Sequence, residues 1–217
     1  MSEALLEQLF DSLTDTLLMV GVASFVALLL GTGLGVVLFA TTERGLWRQP
    51  AVNRALGALV NATRSTPFII LMVAIIPFTR LVVGTSIGTG AAIVPLAVAA
   101  VPFFARLVEA ALREVDRGLI EAALAMGATP RQILWKVLLP EALPALSRGL
   151  TLTIISLIGY SAMAGAVGGG GLGDLGIRYG YQRFNPTVML AVVVVLIILV
   201  QLVQSLGDLA ARRLQKK

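Results

Sequence analysis

Apolar residues in this chain come in long blocks, not in the short alternations or narrow stripes of a water-soluble domain. A helix needs about 20 mostly apolar residues to cross the hydrocarbon core of a bilayer. Five blocks qualify, at 13–40, 55–83, 91–111, 143–167 and 188–209. The pattern predicts an all-α membrane protein with five transmembrane helices, folded as a single domain over 1–217. The second block is the least clean, because Asn61, Arg64, Ser65, Thr66 and Pro67 interrupt its first half and Pro77 and Arg80 its second. An amphipathic helix leading into a fully buried stretch at 66–78 is expected there. Gly31 and Gly35 form a G-x-x-x-G pair in the first block, a spacing that lets helix backbones pack closely in lipid.

The polar interruption between the third and fourth blocks, about 113–142, has its own local logic. Asp116 is placed to cap a short helix running through Met126, and Gly127 supplies the left-handed residue that ends it. Thr129 then stands as an N-cap, Pro130 takes the first helical position, and Gln132 completes a capping box. The product is a helix-turn-helix elbow. Ala122, Ala123 and Ala125 on its first arm are small enough to let another protein's backbone come close.

Composition narrows the function. Of the 217 residues, 57% are hydrophobic and 13% charged, with a net charge of +5. Soluble domains carry about 25% charged residues, so most of the chain faces lipid, and the positive balance reflects loop charges and not nucleic-acid binding. There is no Cys and no His, which removes disulfides, thiolate and imidazole metal sites, and Ser-His-Asp or Cys nucleophiles. The first fifteen residues hold Glu3, Glu7, Asp11 and Asp15 but no Lys or Arg. That start suits an uncleaved helix with an exported amino terminus better than a signal peptide. Arg44, Arg48 and Arg54 follow the first block. Arg106, Arg113, Arg117, Arg131, Lys136 and Arg148 lie between the third and fourth, and Arg212, Arg213, Lys216 and Lys217 close the chain, against Arg80, Arg178 and Arg183 opposite. The positive-inside rule then sets the amino terminus outside, and the carboxyl terminus and the elbow in the cytoplasm.

Other patterns carry less. Gly171, Gly173 and Gly176 satisfy G-x-G-x-x-G, but a hydrophobic block precedes them and not the strand of a dinucleotide site. No P-loop occurs, so ATP hydrolysis by the usual route falls to another subunit. The glycine run at 168–171 reads as a flexible external loop. Ser156, Tyr160 and Met163 recur at i, i+4 and i+7 and so share one face of the fourth block; that stripe lines a path for an amphipathic solute or is plain packing and interfacial anchoring. Arg64 is either a functional intramembrane charge or a snorkelling side chain. An ion-driven carrier would place ionisable groups at mid-membrane, and apart from Arg64 and Arg80 none is seen. An intramembrane enzyme would need an evident base beside its hydroxyls, and none is present.

Glu121, Ala122, Ala123, Gly127, Val137, Leu139 and Pro140 have the spacing of the EAA loop of ABC importer permeases, with Val137 where Ile is commoner. Arg64 to Ile70, Ile76 to Arg80 with 84–88, and Gly159 to Met163 with 165–168 and 170–173 resemble, more narrowly, the methionine-uptake permeases. The first forty residues and the last block match that family in hydropathy only. The resemblance implies a type I ABC importer permease fold in a bacterial inner membrane, working as a homodimer. Two ATP-binding subunits would bind ATP and magnesium, leaving this chain without cofactor, metal or catalytic residue. A periplasmic or lipid-anchored binding protein would deliver methionine. Glu121, Ala122, Ala123, Met126, Gly127, Ala128, Thr129 and Pro130 would couple to the ATPase, and Ser156, Tyr160 and Met163 would gate the path. Another amino acid, a dipeptide or a phosphonate is the competing cargo.

Overall fold

The computed structural model describes residues 3–43 and 45–215; Arg44, Lys216 and Lys217, counted among the loop charges, lie outside them. Every regular element among the described residues is a helix. Helix α1 (Glu3–Val26) runs through a π-helical turn (Ala27–Gly31) into α2 (Thr32–Ala40), making one long apolar rod. Helix α3 (Pro50–Ser65) follows, then α4 (Phe68–Ala74), α5 (Ile76–Val83) and α6 (Thr89–Arg113). The elbow comprises α7 (Arg117–Ala125) and α8 (Pro130–Ile133). The latter continues through a second π turn (Leu134–Leu138) into α9 (Leu139–Gly165). A short α10 (Gly171–Leu175), a π turn (Gly176–Gln182) and α11 (Pro186–Leu214) complete the chain.

Four helical runs are long and apolar enough to cross a membrane: Leu5–Ala40, Thr89–Arg113, Pro130–Gly165 and Pro186–Leu214. The second block behaves differently. Helix α3 meets α4 at 106°, so block 55–83 is not a straight span but a crosswise amphipathic helix followed by two short pieces. Pro67 removes a donor and drives Thr66 to extended backbone (φ −83°, ψ 127°). A second break comes at Ile75, just before Pro77. Asn53 secures α3 to the end of α2, its Nδ2 donating to the Leu38 carbonyl at 2.6 Å and to Thr41 Oγ1 at 3.2 Å.

Helix α6 is the central post, and Leu96, Phe104, Val108 and Leu112 on it are fully buried. Gly31 and Gly35 lie against it. A Cβ on Gly31 would sit 3.0 Å from the Val101 carbonyl, and one on Gly35 would sit 2.6 Å from both the Ala105 carbonyl and Val108 Cβ. Gly33 between them faces open space, so the pair sets a backbone-to-backbone seam, as its spacing predicts. Apolar side chains of α11 such as Leu190, Ile197, Leu202 and Leu206 remain exposed, the arrangement of a surface meant for lipid or another helix.

The glycine run departs from the expectation of a flexible loop. Gly168, Gly170 and Gly171 take positive φ of 87°, 79° and 75°, and the segment folds back into the bundle with all of α10 buried. A Cβ on Gly171 would strike Thr16 Oγ1 and Met19 Cε, and one on Gly173 would strike the backbone of Ala162. Thr16 Oγ1 also accepts from the Leu172 amide at 2.9 Å. These glycines serve close packing and left-handed backbone rather than freedom of movement.

Candidate functional site

The elbow is built from short-range bonds. Asp116 Oδ1 accepts from the Gly118 amide at 2.7 Å and starts α7. At its far end Gly127 adopts φ 79°. The Gly127 amide donates to the Leu124 carbonyl at 2.9 Å and the Ala128 amide to the Ala123 carbonyl at 3.0 Å. These are the paired bonds of a Schellman ending, which satisfy carbonyls the helix would otherwise leave free. Thr129 and Gln132 then close the capping box: the Gln132 amide donates to Thr129 Oγ1 at 3.4 Å, and the Thr129 amide to Gln132 Oε1 at 2.8 Å. Pro130 occupies the first turn.

The elbow's side chains divide by face. Glu121, Ala122, Met126, Gly127 and Thr129 are exposed, with Met126 at 81%, while Ala128 and Pro130 are half-buried. Ala123 is the exception among the expected coupling residues. At 4% exposure it packs into the chain's own core with Ile133 and Leu134. It therefore holds the elbow on the bundle and offers no contact surface to a partner. Leu119, Leu124 and Trp135 add exposed apolar surface around the tip. α8, the second π turn and α9 form one continuous helical rod that joins the elbow to the fourth block.

At the other candidate site, the fourth block's stripe is only partly open. Met163 is 48% exposed. Ser156 is half-buried, and its Oγ donates back to the Leu152 carbonyl at 2.9 Å. Tyr160 is covered by α4: its ring stacks on Phe68 with centroids 4.7 Å apart and planes 7° from parallel. Met163 thus faces outward from the chain, Ser156 is partly covered on the same helix, and Tyr160 belongs to the joint between α9 and the broken span.

Residues 27–216 match the family described as binding-protein-dependent transport system inner membrane component. The chain belongs to that family. The permease is 58% identical to a probable D-methionine transport system permease protein, MetI, of Vibrio cholerae, over 94% of this chain and 90% of that one. It is 48% identical to the methionine import system permease protein MetP of Bacillus subtilis, over 83% and 82% of the two chains. A solved structure of the MetNI methionine ABC transporter in an inward-facing conformation matches the permease at 52% identity, with a TM-score of 0.97 over 100% of both chains.

Two features of the permease escaped the reading of its sequence. Glu109 on α6 is 4% exposed and bridges Arg106 at 2.5 Å and Arg113 at 2.6 Å. Arg106 Nη2 in turn donates to the Gly57 carbonyl at 3.1 Å and Asn61 Oδ1 at 3.0 Å, binding α3 to α6. The signal was present: Glu109 has arginines at i−3 and i+4, both within reach on a helix. The Phe68–Tyr160 stack had no comparable signal, since 92 positions separate the partners.

Proposed function

We propose that this permease forms the translocation pathway of a methionine importer in a bacterial inner membrane. The observation that carries the reading is its likeness, along nearly its whole length, to methionine transport permeases. In this reading two copies assemble with two ATP-binding subunits, which bind ATP and magnesium, and a periplasmic or lipid-anchored binding protein delivers the solute. The broken second block counts as one span, which gives five, with the amino terminus outside and the carboxyl terminus and elbow in the cytoplasm. The placement of basic residues supports that orientation: Arg113, Arg117, Arg131 and Lys136 lie in or beside the elbow, and Arg148 and Gln215, the latter next to the end of α11 that carries Arg212 and Arg213, line one pocket with Asp116 and Leu119.

Mechanism follows from the parts. Glu121, Ala122, Met126, Gly127, Ala128, Thr129 and Pro130 present a rigid, capped knob with an apolar tip, suited to a groove on the ATPase. ATP-driven approach of the two ATPases carries the elbows toward each other, and each elbow carries its α9. Met163, exposed on α9, and the partly covered Ser156 on the same helix then close or part against their two-fold mates, while Tyr160 passes the movement to α4 through Phe68. Alternating access results. The test is uptake into proteoliposomes holding permease, ATPase and binding protein. ATP-dependent accumulation of labelled methionine, outcompeting a dipeptide and a phosphonate, is expected. Preference for either rival would overturn the choice of cargo.

A further inference from the structure

The break in the second span leaves a cavity of about 150 Å³ between α3, α4, α6 and α9, lined in part by Thr63, Arg64, Thr66, Phe68, Phe103 and Tyr160. We propose that this cavity is a transit site for an α-amino acid with a flexible apolar side chain, with Arg64 holding the carboxylate. The inference rests on the reading as a methionine importer and names the place where the permease itself recognises its cargo.

Three kinds of group meet there. Arg64, exposed near the end of α3, lends the cavity wall a guanidinium that has no ion-pair partner among the described residues. The guanidinium fork matches a carboxylate with two parallel bonds. Thr63 Oγ1 donates to the Leu59 carbonyl at 3.0 Å and Thr66 Oγ1 to the Ala62 carbonyl at 3.1 Å. With their protons committed, both hydroxyls offer lone pairs only, which suits an ammonium group. The stacked Phe68 and Tyr160, with Phe103, supply an apolar aromatic wall, and a thioether sulfur makes favourable contacts with such rings.

The combination selects its ligand. An inorganic anion would use Arg64 and leave the rings idle, and a purely apolar solute would leave the guanidinium unmatched. One water needs roughly 10–15 Å³ of comparable space, so the cavity has room for about ten, the scale of a free amino acid. Its location agrees: Thr66 and Pro67 interrupt the helix here, and discontinuous helices are where transporters build solute sites. Met163 follows Tyr160 by one turn on α9, so the cavity adjoins the face read as the gate.

The test uses the permease–ATPase complex with its binding protein in proteoliposomes, and a photoreactive diazirine analogue of methionine. Peptides containing Phe68, Phe103 or Tyr160 should be labelled. Methionine and norleucine should compete, whereas methioninol, which lacks the carboxylate, should not. Arg64→Gln should lower both labelling and uptake at least tenfold while the ATPase still copurifies, and Arg64→Lys should restore part of both. Wild-type uptake without labelling of these peptides, or an Arg64→Gln variant that labels and imports like wild type, would overturn the site alone. Failure of the wild type to import methionine would overturn the functional reading and this inference with it.

Discussion

Gly127 offers the sharpest test of the elbow because its two possible roles separate cleanly. Its φ of 79° lies in the left-handed region, where any residue with a Cβ pays about 1–2 kcal/mol. Within the chain a Cβ there meets nothing within 4 Å, so alanine and leucine bear the same backbone strain and neither clashes at its Cβ. For a chain of this size each kcal/mol lowers the unfolding midpoint by about 2–4 °C. Gly127→Ala and Gly127→Leu should therefore lose a similar amount, roughly 2–8 °C, and Gly127→Asn less, since asparagine tolerates this conformation. What distinguishes leucine is its reach beyond the chain, beside exposed Met126, into whatever docks there. Overpacking at a contact costs about 1–3 kcal/mol, enough to weaken ATPase assembly or coupling by roughly 5- to 150-fold. Thermal unfolding of the purified permease, copurification of the ATPase and reconstituted uptake would be measured for all three variants. If leucine imports as well as alanine at equal expression, the elbow tip is not a docking surface.

The seam between α2 and α6 predicts an ordered series. Gly35→Ala would place a Cβ 2.6 Å from Val108 Cβ, well inside the ~3.5–4.0 Å carbon contact distance, and should destabilise by about 1–3 kcal/mol. Gly33→Ala, in open space, should instead gain about 0.5–1 kcal/mol; unfolding in detergent would show the order, and a reversal would refute the seam. Met163→Cys, exposed on α9, should cross-link to its symmetry mate in one nucleotide state and less in another, and Met163→Ala should leak or alter uptake with the dimer intact. Cross-linking in no state, together with wild-type transport by Met163→Ala, would mean ordinary packing. For orientation, a cysteine replacing Ser2 (outside the described residues) should react with an impermeant thiol reagent added outside, and one replacing Gln215 should not. The chain has no native cysteine to interfere, and inverted labelling would overturn the assigned topology.

Much of the elbow was legible because its structure is local. Asp116, Gly127, Thr129, Pro130 and Gln132 act on backbone groups two to five residues away, and each takes the role its residue type predicts. The same holds for the long apolar rods and for the interruption at Thr66 and Pro67. The facing of Ala123 was not legible. Three alanines in one short helix look alike, and only the packing of Ile133 and Leu134 beneath decides which of them is buried.

By itself, then, the sequence determined the long apolar helices, the caps of the elbow, the interruption at Thr66 and Pro67 and the family to which the chain belongs. Each of these depends on hydropathy, on bonds within one turn, or on a run of residues read in order. Tertiary structure alone decided what meets what: the 106° turn of α3 into α4, the stacking of Phe68 on Tyr160, and the closing of Glu109 between two arginines. It also decided that the glycines of 168–173 are packed tight and not loose. In a membrane the lipid is as apolar as the side chains, so hydropathy marks which residues enter it but not which face each turns toward a neighbour. That choice is made by close packing and by the few polar groups that must find partners, and both depend on positions far apart in the chain.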